Sequence, residues 1–230
     1  MNSKIKFSIF GILTIVSAFI ISTFSDNYYG VPFEYDLVCL IFTLIEFSCV
    51  CTVCKINESS LICNEYKAIR YKKRSSIIKF EIQKRIFYIL LLTTSNSLTI
   101  ATIKKLSIKY FILLIALNFL TFLFLALVQF FLELKFTSDT GYLVVIVGYV
   151  ISLFIGIMLQ NYSESHSNIA SKLFEVVNKF NIVNYSSLTR INLLGCNIKL
   201  SIFLLMVLNI MTVSVLLLTL KKSDIMERNQ

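Results

Sequence analysis

The stretch YFILLIALNFLTFLFLALVQFFL, residues 110–132, is the most hydrophobic run of the chain and carries no charge. A transmembrane helix needs about 20 predominantly apolar residues, so this run is long enough to cross a bilayer. It does not alternate apolar and polar residues, as a barrel strand must. Because every backbone N–H and C=O group in lipid needs an internal partner, the run predicts a membrane-spanning helix.

The composition of the whole chain agrees with this prediction. Hydrophobic residues make up 57% of the 230 residues, charged residues make up 15%, and the mean hydropathy is +0.78. Soluble domains carry about 25% charged residues. The net charge of +9 lies mostly between the hydrophobic runs, where Lys and Arg orient membrane proteins, which argues against nucleic-acid binding. We therefore expect an integral, multi-pass membrane protein.

Four further runs are long and apolar enough to cross the bilayer, and Glu46 is the one charged residue inside them. These runs are residues 7–24, 37–54, 142–160 and 200–220. Together with residues 110–132, they predict an all-α bundle of five transmembrane helices. In this interpretation residues 1–230 form a single integral membrane domain, and the plasma membrane is the expected location.

Residues 86–103 are a sixth uncharged stretch, but Thr, Ser and Asn crowd its second half. Lys and Arg next to transmembrane segments favour the cytoplasmic side. With five crossings, 18 Lys and Arg lie inside and 4 outside, whereas a sixth crossing at 86–103 changes these numbers to 15 and 7. The larger asymmetry favours five crossings, a cytoplasmic N-terminus and cytoplasmic helical extensions in segments 55–109 and 161–199.

Glu46 lies near the middle of its predicted span. A carboxylate at this depth costs about 2.5–3.5 kcal/mol on insertion scales, so its side chain should face the bundle interior or a wet cavity. It either forms an ion, proton or ligand site, or makes a neutral hydrogen bond to a neighbouring helix. Asn118 and Gln129 are further polar residues within a span, a type that often hydrogen-bonds between helices. Glu46, Asn118 and Gln129 are the candidate ligand-binding residues.

Gly148, Ser152 and Gly156 recur every four residues along the span at 142–160. This spacing places three small residues on one face of a helix, where another helix can approach closely. We expect helix packing at this face, within the chain or between subunits. The pattern indicates no chemistry.

Residues 164–185 follow that span and have an amphipathic pattern. Glu175 and Lys179 have the spacing of an ion pair along a helix. The apolar residues of the segment share one helix face: Ile169, Leu173, Val176, Val177 and Phe180. We expect a cytoplasmic helix that packs against the bundle.

The sequence contains no recognisable metal, cofactor or catalytic signature. Cys51 and Cys54 form a C-x-x-C pair, but Cys49, Cys63 and His166 do not supply a second ligand pair at the spacing of a zinc site. The motifs H-E-x-x-H, G-x-S-x-G, G-x-x-x-x-G-K-S/T and G-x-G-x-x-G do not occur. We expect no metal, no cofactor, no catalytic residues and no enzymatic activity.

The order of these segments resembles the insect chemoreceptor superfamily, in particular the gustatory receptors. Those are seven-helix membrane proteins with a cytoplasmic N-terminus, a basic first intracellular loop and a helical second one after the fourth span. The counterparts here are Lys55 to Lys109 and Asn161 to Lys199. The family's signature of Thr-Tyr, five apolar residues and Gln-Phe is matched only by Thr121-Phe122 to Gln129-Phe130, which is one residue too long and lies in mid-chain. No functional residue is carried over.

The resemblance implies a receptor that binds a small-molecule tastant between its spans and couples detection to a cation conductance, as a homo- or hetero-oligomer. One alternative is a small transporter, in which Glu46 would carry ions or protons. Another is a non-catalytic membrane assembly subunit, in which Glu46 would hold helices together. The lipid bilayer is a partner in all three interpretations, and nucleic acid is a partner in none.

Overall fold

The computed structural model of the chain describes residues 3–24, 37–55, 74–166 and 169–228. Within these ranges the chain is all-α and contains no strand. A short 3-10 helix, Ile182–Ser186, separates the sixth and seventh α-helices. The α-helices are α1 Ser3–Phe24, α2 Leu37–Cys54, α3 Arg74–Lys104, α4 Ile108–Lys135, α5 Ser138–Ser165, α6 Ile169–Lys179, α7 Leu188–Leu193 and α8 Ile198–Arg228.

Short connections turn the chain back on itself on either side of α4. Lys105 adopts a left-handed backbone conformation, φ 50°, between α3 and α4. Between α4 and α5, the Phe136 N–H donates to the Leu132 carbonyl, and the Thr137 hydroxyl caps α5 by accepting from the Thr140 N–H at 3.2 Å. Connections this short make consecutive helices antiparallel neighbours.

Contacts between the helices fix which ends lie together. The Phe7 ring of α1 stacks on the Tyr88 ring of α3, with ring centroids 5.0 Å apart. The Thr52 and Tyr142 hydroxyls, near the end of α2 and the start of α5, are 3.2 Å apart. The starts of α1, α3 and α5 therefore share one end of the bundle with the ends of α2 and α4. We call this the N-terminal end, and the other the Lys104 end.

The final helix, α8, runs parallel to α4. Leu205 packs in the same buried cluster as Leu114, and the Asn209 amide donates to the Leu120 carbonyl at 3.0 Å. Residue numbers therefore rise in the same direction along both helices. As a result α8 runs from the Lys104 end towards the N-terminal end.

The surface of the bundle is apolar along its length. Large hydrophobic side chains are exposed on α1, α5 and α8, for example Ile12, Val147 and Ile210. In the described part of the chain, four helices are long and apolar enough to cross a membrane: Lys79–Lys104, Ile108–Lys135, Ser138–Ser165 and Ile198–Leu218. Phe7–Thr23 and Val38–Cys54 are shorter apolar helices. The fold is that of an all-α bundle suited to embedding in a membrane.

Residues 86–103 lie inside α3 and are packed among the other apolar helices. Ile89, Leu92 and Ile100 are buried, and α3 contacts both α1 and α4. The asymmetry of Lys and Arg favoured five crossings and so predicted a cytoplasmic extension for this stretch. In the structure three of its polar residues, Thr93, Asn96 and Ser97, are buried within the bundle.

The segment after α5 differs from the single amphipathic helix expected at 164–185. The helix α5 ends at Ser165, and α6 runs back along it, because the Tyr162 and Phe174 rings meet edge to face and the Asn178 amide donates to the Gly156 carbonyl. Gly195, with φ 64°, then precedes α8. Cys63 and the rest of the basic stretch 56–73 lie outside the described residues.

Candidate functional site

Glu46 is buried at the interface of α2 and α3. Its side chain is 5% exposed, and its carboxylate accepts a hydrogen bond from the Asn96 amide of α3, which is 2% exposed. About eight residues, or about 12 Å of helix, separate Asn96 from Lys104 at one end of the bundle. About 16 Å separate it from Arg85 at the other end. Glu46 therefore occupies the middle of the apolar layer.

Further polar groups lie beside Glu46. Phe47, its neighbour in sequence, stacks on the Tyr149 ring of α5 with centroids 3.7 Å apart. Within the described residues, the Asn96 Oδ1, Ser97 Oγ and Tyr149 hydroxyl atoms are buried without a hydrogen-bond partner. The centre of the bundle thus contains a carboxylate, an amide and hydroxyl groups contributed by three helices.

A second buried polar cluster lies at the N-terminal end and is built around Arg85. Its guanidinium donates to the Glu81 carboxylate at 3.0 Å, and its other terminal nitrogen lies 3.4 Å from the Glu133 carboxylate of α4. The Arg85 guanidinium also lies over the Phe130 ring, 4.0 Å from its centroid. All three charged side chains are at most 6% exposed. We call Glu81, Arg85 and Glu133 the buried triad.

Gln129 contacts the buried triad and does not lie beside Glu46. Its amide donates to the Glu133 carboxylate at 2.7 Å and to the Cys51 carbonyl of α2 at 3.0 Å. Asn118, the third predicted ligand residue, is buried on α4 about three turns before Gln129. The structure therefore does not bring Glu46, Asn118 and Gln129 together in one pocket.

Gly148, Ser152 and Gly156, the three small residues on one face of α5, have different surroundings. A Cβ atom at Gly156 would lie 3.1 Å from side-chain atoms of Asn181 and Asn184, so the close neighbour there is the segment after α6 and not another long helix. The Ser152 carbonyl accepts from the Asn181 amide at 2.6 Å. A Cβ atom at Gly148 would meet nothing within 4 Å.

Gly148 lies in a groove between α4, α5 and α6, with a volume of about 490 Å³. Most of its lining is aliphatic, for example Val144, Ile155 and Val177, while Ser152, Tyr149 and Asn181 add polar atoms. Ligand pockets typically enclose about 300–1,000 Å³ and combine apolar walls with a few polar groups. The groove has a volume within this range and a similar mixture of lining groups, and it is open to the surroundings of the bundle along one side.

Sequence reasoning missed Asn96, Arg85 and Glu133. Arg85 was placed in the cytoplasmic segment 55–109, and Glu133 immediately follows the run 110–132 and was placed just outside that span. The sequence does contain one indication of Asn96, because Thr, Ser and Asn at 93–97 interrupt a segment that is otherwise apolar. Polar residues of that kind within a transmembrane helix usually face its neighbours.

The cysteines and the histidine do not converge in the described residues. Cys51 and Cys54 are buried and form no disulfide. No group of three or more His, Cys, Asp or Glu side chains in the described ranges is arranged to hold a metal ion. His166 is exposed at the end of α5, where its ring stacks on Tyr162.

Comparison with known proteins gives no relative from which a function could be transferred. No protein-family model matches the chain, and no curated protein and no solved structure matches it.

Proposed function

We propose that the chain is a receptor-type membrane protein that binds a small, mostly apolar molecule in the groove between α4, α5 and α6. The groove carries this proposal, because its volume of about 490 Å³ accommodates a small organic molecule. The resemblance of the segment order to gustatory receptors supports the same function and adds the expectation that binding changes a cation conductance.

The position of the groove connects it to the buried polar groups of the bundle centre. Tyr149 contributes to the groove lining and stacks on Phe47, the residue next to Glu46. A molecule that displaces Tyr149 must therefore move Phe47 or break the stacking contact. This contact is a short physical connection between the groove and the Glu46–Asn96 hydrogen bond.

The groove can be tested by filling it. We expect Gly148→Phe to abolish binding without unfolding the protein, because position 148 has open space on the groove side. The probe is an alkyl diazirine, photo-crosslinked to the purified protein in vesicles and mapped by mass spectrometry. In the wild type, labelling of groove peptides should saturate and be lost in the variant. The compounds that compete with the probe should evoke a cation current in cells that express the wild type only.

The matched control is Leu143→Phe, which adds an aromatic ring at an exposed position of α5 outside the groove lining. This variant should retain saturable labelling. Labelling that never saturates, or that Gly148→Phe leaves unchanged, would contradict a groove that binds ligand. Saturable labelling without any current would support binding in the groove but contradict the receptor role.

We further propose that six helices cross the bilayer, rather than five. The basis is α3, whose residues 85–104 span about 28 Å, close to the hydrocarbon thickness of about 30 Å. Six crossings place the N-terminal end of the bundle inside, with 15 Lys and Arg against 7 outside. The charge asymmetry is smaller than with five crossings but has the same sign.

Epitope tags distinguish the two topologies. With six crossings, a tag inserted at Leu106, in the turn between α3 and α4, should be detected on intact cells, whereas a tag after Gln230 should require permeabilisation. Five crossings reverse both results. A tag before Met1 is the control, since it is cytoplasmic in either topology. Detection of the Leu106 tag only after permeabilisation would exclude the sixth crossing.

A further inference from the structure

The helix α6 packs with its polar face inward and its apolar face outward. Ser171 and Asn178 are buried, whereas Ile169 is 88% exposed and Phe180, directly after the helix, is 72% exposed. Leu173, Val176 and Val177 share the exposed face. A helix on the surface of a water-soluble bundle has the opposite arrangement. This orientation indicates that the surroundings of α6 are apolar.

The polar face of α6 is matched by hydrogen bonds inside the protein. The Asn178 and Asn181 amides donate to the Gly156 and Ser152 carbonyls of α5 at 3.1 and 2.6 Å. The Asn184 amide donates to the Asn178 side chain at 2.8 Å. The Arg190 guanidinium donates to Asn184 Oδ1 at 2.8 Å and is 0% exposed. The polar groups therefore face the bundle and one another.

The segment also lies at membrane depth. Leu188 and Ile191 of α7 belong to the buried cluster that contains Ile21, Leu114 and Leu205. Leu114 and Leu205 lie five and six residues beyond Lys109 and Lys199, which is about 8 Å inward along each helix. The chain thus extends further into the bundle than the lysines at the Lys104 end, and it returns to the level of these lysines before α8.

Non-helical backbone is tolerated at this depth only where the protein buries it. The 3-10 helix meets this condition, because Val183, Asn184, Tyr185 and Ser186 are all buried. The Tyr185 hydroxyl donates to the Lys179 carbonyl at the end of α6, at 2.5 Å. The 3-10 helix, which is the part of the segment furthest into the bundle, is therefore surrounded by protein.

From these observations we infer that residues 169–194 form a re-entrant segment in the half of the bilayer at the Lys104 end, with the exposed face of α6 against lipid acyl chains. This face is continuous with the exposed apolar residues Ile155 and Met158 of α5, the helix against which α6 packs. The inference rests on the proposed membrane insertion of the chain and adds a segment that enters and leaves on the same side.

The charged residues of α6 are compatible with this position. Glu175 and Lys179 form an ion pair with a 2.8 Å contact, one helical turn apart. Lys172 lies two turns nearer the Lys104 end than Lys179. Long Lys side chains at the edge of the hydrocarbon layer extend along the helix to place their ammonium group at the interface.

The chain contains no tryptophan, so a single introduced indole reports its own surroundings. We compare Phe180→Trp with Ile210→Trp, which places the indole on an exposed position of the long helix α8. Each full-length variant is reconstituted in phosphatidylcholine vesicles with or without bromine atoms on the acyl chains. Phe180→Trp should lose the same fraction of its emission to brominated lipid as Ile210→Trp, and aqueous iodide should quench neither. Leu173→Trp, on the same face of α6, provides a second variant.

The two positions separate this inference from membrane insertion itself. If Ile210→Trp is quenched by brominated lipid while Phe180→Trp and Leu173→Trp are quenched by iodide, the re-entrant segment is excluded and the inserted bundle stands. If iodide quenches all three variants, insertion of the chain is excluded as well. Quenching of all three by brominated lipid supports both.

Discussion

Replacing Arg85 by Ala should lower the free energy of unfolding by about 3–5 kcal/mol, which is the usual cost of breaking a buried ion pair. The change removes the guanidinium that lies between the Glu81 and Glu133 carboxylates, both of which remain buried. It also removes the contact of the guanidinium with the Phe130 ring. Unfolding of the purified protein by SDS in mixed micelles measures the loss.

Lys84→Ala is the matched control, since Lys84 is the adjacent cation on α3. Its ammonium lies 3.9 Å from the Glu81 carboxylate, and its side chain is 30% exposed. Exposed pairs contribute about 0–1 kcal/mol, so this variant should unfold close to the wild type. A rescue variant combines Arg85→Met with Glu81→Gln and Glu133→Gln, and it should recover much of the loss. An Arg85→Ala protein as stable as Lys84→Ala would contradict the buried triad.

Gly141→Ala should also destabilise the protein, by about 1–3 kcal/mol, as is typical when an added group has no space. A Cβ atom at Gly141 would lie 2.6 Å from the Glu133 backbone nitrogen and 2.7 Å from Glu133 Cγ. Backbone atoms cannot rotate away from such a clash, so α4 and α5 must separate. The same mixed-micelle unfolding experiment measures this effect.

Gly148→Ala makes the same chemical change seven residues later on α5. No atom lies within 4 Å of the added methyl group there, so the variant should be as stable as the wild type or slightly more stable. The difference between the two variants isolates the contact with Glu133 from the general preference of helices for Ala. Equal stability of Gly141→Ala and Gly148→Ala would show that α4 and α5 do not approach so closely at Gly141.

The hydrophobic runs of the sequence predicted where the long helices form. The run 110–132 lies within α4 and the run 142–160 within α5, each of which extends a few residues further. Length and absence of charge suffice for this, because a helix in lipid satisfies its backbone locally. Glu46 could be singled out for the same reason, since a single carboxylate inside an apolar run has few stable positions.

The partners of those helices could not be predicted in the same way. The hydrogen bond from Asn96 to Glu46 joins residues 50 apart, and the ion pair of Arg85 with Glu133 joins residues 48 apart. No spacing rule connects such residues. Both Arg85 and Glu133 stand at the edge of an apolar run, where charge usually marks the membrane surface.

The pattern at 164–185 shows a different limit of sequence reasoning. Periodicity correctly placed Ile169, Leu173, Val176, Val177 and Phe180 on one face of a helix, and the structure exposes that face. An apolar face is covered by protein when the solvent is water and by acyl chains when the solvent is lipid. The periodicity is the same in both cases, so the side that packs on the bundle could not be deduced from it.

The length of α3 has a mechanical consequence. Its 31 residues measure about 46 Å, roughly half as long again as the hydrocarbon layer is thick. Residues 74–80 precede Glu81 of the buried triad and belong to the same continuous helix that holds Asn96. A protein or lipid headgroup that binds residues 74–80 would therefore act on the same helix that donates the Asn96–Glu46 hydrogen bond, with the buried triad between the two.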